Sequence, residues 1–168
     1  MKKFFTVAII LMVGLGTAMA QKGEMAGGVQ LNYGSEIESL GIGAKFQYGI
    51  TDAIRVEPSF NYFFGKNSFN MFDFNLNAHY LFKVANKVNA YPLAGLGYTS
   101  WEIGGIEIDD DDFEVESESS RSGKIAVNLG AGIEYQLTNK LAVNAELKYQ
   151  IISNFNQLVF GVGMTYKF

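Results

Sequence analysis

Residues 140–151 alternate without a break. Leu141, Val143, Ala145, Leu147, Tyr149 and Ile151 form one set; Ala142, Asn144, Glu146, Lys148 and Gln150 form the other. Successive side chains of an extended chain point to opposite faces, so this run has one apolar face and one nearly polar face. The pattern recurs over 40–50, 54–64, 71–82, 124–137 and 157–168. It is weaker over 25–33, where it begins at Val29, and over 88–99, where Pro92 interrupts and Leu93 falls on the polar side. Proline lacks the amide donor of a ladder, which counts against a central strand, but Ala90, Ala94, Leu96 and Tyr98 still share a face. Eight strands are expected, most of about 10–12 residues, the length a tilted strand needs to cross hydrocarbon.

A soluble β-sandwich also alternates. Its strands usually run only about 5–6 residues. Here the polar face is rich in glycine, asparagine and charge, which suits the narrow interior of a small barrel. The connections differ in kind: 49–53, 84–87 and 137–140 are tight turns, whereas one connection on the opposite rim, 100–122, is long. Short periplasmic turns with longer external loops are the outer-membrane arrangement. Aromatics end the apolar faces: Tyr48, Tyr80, Phe82, Tyr135, Tyr166 and Phe168 near the tight-turn rim, and Tyr33, Tyr62, Phe64, Phe72, Tyr98 and Tyr149 near the other. Two interfacial girdles are expected from that. Only a closed sheet satisfies every backbone donor and acceptor in lipid, so strand 1 should pair with strand 8. The expected fold is all-β: an eight-stranded antiparallel up-and-down transmembrane β-barrel over 21–168.

Residues 1–20 read as a cleaved signal peptide. Lys2 and Lys3 are the positive region, 4–16 is an apolar stretch too short to span a bilayer, and Ala18-Met19-Ala20 is a small-x-small cleavage site. The chain has no cysteine, so disulfides, thiol chemistry and thiolate metal sites are excluded. That composition is compatible with an oxidising periplasm.

With these features the chain resembles the small outer-membrane β-barrel family that includes OmpX and the transmembrane domain of OmpA. The resemblance covers 21–168. Its carriers are the leader, the eight-strand meander, the segment Tyr91-Pro92-Leu93-Ala94-Gly95-Leu96-Gly97-Tyr98 and the last strand. In that strand Phe160, Val162, Met164, Tyr166 and Phe168 occupy alternate positions. The resemblance implies that they act as an assembly signal read by the barrel-assembly machinery; a merely lipid-facing strand would carry the same residues. No peptidoglycan-binding domain is expected after the barrel, unlike full-length OmpA. The resemblance places the protein in the outer membrane of a Gram-negative bacterium, against its lipid and lipopolysaccharide.

Lys45, Arg55, Glu57, Asp73, Glu134, Glu146 and Lys148 should face the lumen. Buried charges are costly unless paired, so an ion-pair and hydrogen-bond network is expected, making a plug. A narrow ion or small-solute channel is the alternative. An outer-membrane lipid-modifying enzyme is a third reading, but the single histidine, His79, lies late in its strand near the periplasmic rim, the wrong end for outer-leaflet chemistry. No nucleotide-binding fingerprint, metal-spaced histidine cluster or nucleophile elbow is present. No cofactor and no nucleic-acid partner are expected.

Residues 100–122 hold nine acids and one base, Arg121. They include Asp109, Asp110, Asp111, Asp112, Glu114 and Glu116. Three readings stay open: a solvated flexible loop, a strand extension forming a protruding hairpin to which a partner strand could add, and a divalent-cation site of clustered carboxylates. The spacing and turn glycine of an EF-hand are missing. The functional expectation is a non-enzymatic barrel contributing to the envelope, or to surface interaction with an extracellular protein through this loop.

Overall fold

The computed structural model describes residues 22–65, 69–103, 121–153 and 155–168. Nine strand segments follow in order: β1 Met25–Gly34, β2 Ser39–Gly49, β3 Ile54–Phe63, β4 Phe69–Tyr80, β5 Phe82–Ala85, β6 Val88–Ile103, β7 Arg121–Gln136, β8 Leu141–Ile152 and β9 Gln157–Lys167. Apart from β4 and β5, successive strands pair antiparallel, and β1 pairs with β9, which closes the sheet. β4 and β5 both pair with β6, so the barrel has eight staves. No helix among the described residues is long and apolar enough to cross a membrane.

The extra segment has a local cause. His79 pairs with Leu93, and Phe82 with Ala90, in one continuous register. That register sets Tyr80 opposite Pro92. Proline has no N–H to give the ladder, and the stave lapses there. The amide of Leu81 turns instead to the Ala53 carbonyl, 2.8 Å away.

Two of the tight turns share one chemistry. The Thr51 hydroxyl accepts from the Ala53 and Ile54 amides at 3.2 and 2.9 Å. The Thr138 hydroxyl accepts from Lys140 and Leu141 at 3.2 and 3.0 Å. A side-chain oxygen thus replaces a backbone acceptor at the bend. At the third turn Lys87 takes φ +66°, the left-handed region that a tight bend requires.

On the other rim β6 and β7 are the longest strands, with 16 residues each. Their pairing runs out through Ser100–Gly123 and Trp101–Ser122 to Glu102–Arg121. The two strands therefore stay paired as far as Glu102 and Arg121, and the three readings of the segment between them stay open. The acids from Asp109 to Glu116 lie outside the described residues, as does the leader.

Burial inverts the soluble pattern. Along β2, Leu40, Ile42, Phe46 and Tyr48 are exposed, while Ser39, Lys45 and Gln47 are buried. Among the described residues, buried polar side chains outnumber buried hydrophobic ones about two to one. Water would penalise such an outer face; lipid rewards it. The weak alternation at the start of β1 arises because Gly27 and Gly28 carry no side chain. Gly27 leaves room for Phe168, whose ring tip would lie 3.2 Å from an added Cβ. The Phe168 amide donates to Met25 O at 3.1 Å, so this residue overlaps the closing seam.

The aromatic girdles take the expected places. Tyr80 and Phe82 rings meet at 4.9 Å, and Tyr166 and Phe168 at 6.2 Å, near the tight-turn rim. Tyr62 contacts Phe64 at 5.1 Å and Phe72 at 5.0 Å towards the other.

Candidate functional site

Most of the paired charges among the described residues converge in the lumen, and they fill it in tiers. The tier nearest the tight turns is ionic. Arg55 on β3 reaches across to Glu134 on β7, with Nη1 to Oε2 at 2.7 Å. The same Nη1 donates to Gln47 Oε1 at 3.0 Å, and Nη2 lies 3.2 Å from His79 Nδ1. Lys45 on β2 sits between two carboxylates, 3.5 Å from Glu57 and 3.2 Å from Glu146 on the far wall. Glu57 also accepts from Gln47 Nε2 at 2.6 Å.

Tyr91 joins these pairs. Its hydroxyl donates to Glu146 at 2.7 Å, its ring stacks on His79 at 4.7 Å, and the Arg55 guanidinium lies 5.1 Å from the ring centre. With Leu81 and Leu93 it forms a small apolar cluster inside the barrel. Leu93, anomalous on the polar face of its strand, is thereby explained. Alternation counted from Asn89 would have placed Tyr91 inside, but an aromatic on a polar face gives no reason to single it out.

The next tier is built of amides around one carboxylate. Asp73 accepts from Gln150 at 3.1 Å and lies 3.8 Å from the Lys148 ammonium. Asn128 donates to Asn75 at 2.7 Å and to Asn77 at 3.0 Å. Gln30 and Asn32 converge on Asn61 Oδ1 at 2.5 and 2.9 Å. Such a network is stable only when its members satisfy one another, since a buried polar group without a partner costs about 1–3 kcal/mol.

The third tier is apolar and lies at the long-loop end. Phe63, Met71 and Val159 point inward, with Ile37 and Trp101 packed against them. Trp101 meets Phe155 edge-on at 5.4 Å, and Lys124 anchors to Ser153 O at 2.8 Å. Nothing in the alternation singled these residues out, because they are hydrophobes on the polar parity.

All seven charges expected inside lie inside, paired as Arg55 with Glu134, Lys45 with Glu57 and Glu146, and Lys148 with Asp73; Gln47 links the first two groups by hydrogen bonds. Glu57, His79 and Glu146 bring ligand-type atoms within 4.8 Å of one another. They do not suit a metal. An arginine can only donate, so His79 Nδ1 is the acceptor and Nε2 keeps the proton. The Lys45 ammonium already occupies the space between the carboxylates.

A closed sheet, apolar outside and polar inside, defines a transmembrane β-barrel. The pattern of the outer membrane protein β-barrel domain family matches residues 8–168, and the chain belongs to that family. It is a protein of the Gram-negative outer membrane. The N-terminal β-barrel domain of OprF from Pseudomonas aeruginosa is similar, with TM-score 0.64, 20% identity, and 88% of this chain and 98% of that one covered. Neisserial surface protein A (NspA) is similar with TM-score 0.64 and 15% identity over 86% and 96%. So is Ail, the attachment invasion locus protein of Yersinia pestis, with TM-score 0.60 and 17% identity over 88% and 100%. No curated protein sequence matches the chain.

Proposed function

We propose that this chain is a non-enzymatic outer-membrane barrel that seals its own lumen and serves the envelope and surface contact through its external rim. The observation that carries this reading is the filled interior, ionic, then amide, then apolar, from one end to the other. An eight-stranded barrel has little room beyond its own side chains. The tight-turn rim faces the periplasm in this reading, and residues 1–20 are a leader removed on export.

Planar-bilayer recording of the purified barrel tests the seal. No discrete conductance steps are expected; regular unitary steps would establish the channel reading instead. The enzyme reading has little support. His79 is enclosed by Arg55 and Tyr91 near the periplasmic end, away from the outer leaflet.

The acidic segment 100–122 is proposed as the surface contact, beside the lipopolysaccharide of the outer leaflet. Ail has been solved in complex with the heparin analogue sucrose octasulfate. Nine acids against one base give this chain's loop the wrong sign for a polyanion and the right sign for a basic protein surface. Removing 106–119 is expected to leave the barrel folded, judged by its heat-dependent gel mobility, and to abolish capture of basic surface proteins. The comparison is run with and without calcium, because carboxylate ligation would make capture calcium-dependent. Capture unchanged by the deletion would defeat the assignment.

The last strand is proposed as the assembly signal. Phe168→Ala should leave refolding into detergent intact but lower the amount of assembled protein in the outer membrane. Unchanged assembly in cells would leave Phe160, Val162, Met164 and Tyr166 as lipid-facing residues only.

A further inference from the structure

The tight-turn mouth of the barrel carries charge that the plug does not use. Three lysines face a cavity of about 470 Å³ there: Lys83 on β5, Lys87 in the β5–β6 turn and Lys167 on β9. One acid accompanies them, Glu24, and Lys167 neutralises it at 2.7 Å. Lys83 and Lys87 form no ion pair with a described residue. Thr138 and Asn139 add a hydroxyl and an amide to the same wall.

The cavity leads inward to a small recess that shares Glu24 and Lys167 with it and is lined at its inner end by Arg55 and Glu134. The recess holds about 10 Å³, room for one water at most. Arg55 is buried there, and its Nε has no hydrogen-bond partner although the other two guanidinium nitrogens have theirs. Glu134 is committed to Arg55. The mouth therefore presents two ammonium groups without an ion-pair partner among the described residues and several neutral donors, above the buried Arg55 Nε. Its described lining offers no free acid.

We propose that this mouth is a binding site for a phosphate-class anion on the periplasmic side. Lysine ammonium groups are compact point charges suited to phosphate oxygens, and the concave wall reduces screening by solvent. The phosphate could belong to a soluble periplasmic compound or to a phospholipid headgroup of the inner leaflet folding over the rim. The chemistry is the same for both.

The test uses the full mature chain refolded in a maltoside detergent, which contains no phosphate, and inorganic pyrophosphate as the probe. Amide NMR shifts of Asn86, Asn139 and Gln136 are followed during titration. Saturable shifts are expected, and the double variant K83Q/K87Q should raise Kd about tenfold or more. K140Q is the control: Lys140 lies on the same rim outside the cavity, over the Tyr166 ring, and its loss should change Kd less than twofold. Shifts that fail to saturate in the unsubstituted protein would overturn the proposal, whether or not the variants fold. So would a folded K83Q/K87Q protein that binds within twofold of the unsubstituted one. Repeating the titration in nanodiscs separates the sources. Weaker binding in phosphatidylcholine nanodiscs, whose headgroups carry phosphate without net charge, than in the phosphate-free maltoside supports the site with a lipid headgroup as competitor. Equal binding in the two supports it with a soluble ligand.

Discussion

Replacing Arg55 with Met is expected to destabilise the folded barrel by about 3–5 kcal/mol, the cost of leaving a buried charge unpaired. Arg55 is the hub of the lowest tier. Without it the Glu134 carboxylate, 3% exposed, keeps a single described hydrogen bond, from Asn89 at 3.4 Å. His79 Nδ1 loses the contact described for it, and Gln47 Oε1 loses its donor. Methionine fills comparable length, so the loss reports the unpaired groups more than a cavity. Equilibrium urea unfolding in lipid vesicles measures it. The double variant Arg55→Met with Glu134→Gln removes both charges and should be less destabilised than the sum of the singles, by at least about 1 kcal/mol. If Arg55→Met costs less than about 1 kcal/mol, water replaces the guanidinium freely and the interior is not a dry plug.

The second large effect is steric. A Cβ built on Gly95 would stand 2.3 Å from the Leu76 carbonyl oxygen and 2.7 Å from Asn77 Cα. Both atoms belong to the backbone of the paired stave, so relief requires β4 and β6 to move apart. Gly95→Ala should cost about 3 kcal/mol, the upper part of the range for overpacked sites. Gly161→Ala is the informative contrast. There the nearest atom, at 2.6 Å, is the end of the Asn32 side chain, and the next lie at 3.7 Å. Asn32 can rotate away, so the expected loss is under about 1 kcal/mol plus the weakened contact to Asn61. Equal losses at the two positions would show that glycine is needed for strand conformation rather than for close approach to the neighbouring stave.

Both predictions rest on contacts of different legibility. That Arg55 and Glu134 face inward follows from counting alternate residues. That they touch does not: 79 positions separate them in the chain. Lys45 and Glu146 are 101 positions apart, and Lys45 also lies against Glu57, so neither carboxylate could be chosen from order or spacing. Partner choice across a lumen depends on the stagger between staves, and that stagger is set only when β1 meets β9. The same stagger places Asp73 and Lys148 among amides, away from Arg55.

Tyr91 and the apolar cap were harder still to see. Alternation separates faces, and it detects a lumen residue through its polarity. A tyrosine that serves as a hydrogen-bond donor, a stacking partner and a cation–π surface breaks that rule without leaving a mark in the pattern. Phe63, Met71 and Val159 break it too, because the end of a narrow lumen can be closed by hydrophobes as readily as by ions.

The amino-acid sequence by itself determined the fold class, the facing of most side chains, the girdles and the inward position of seven charges. These follow from local geometry, because an extended chain reverses its side chain at every residue and lipid selects the apolar face. The tertiary structure alone decided which charges pair, where Pro92 interrupts a stave, how the lumen is layered and that Lys83 and Lys87 meet Lys167 at its mouth. Those depend on closure, which brings together residues that the chain keeps far apart and settles the stagger of every stave at once.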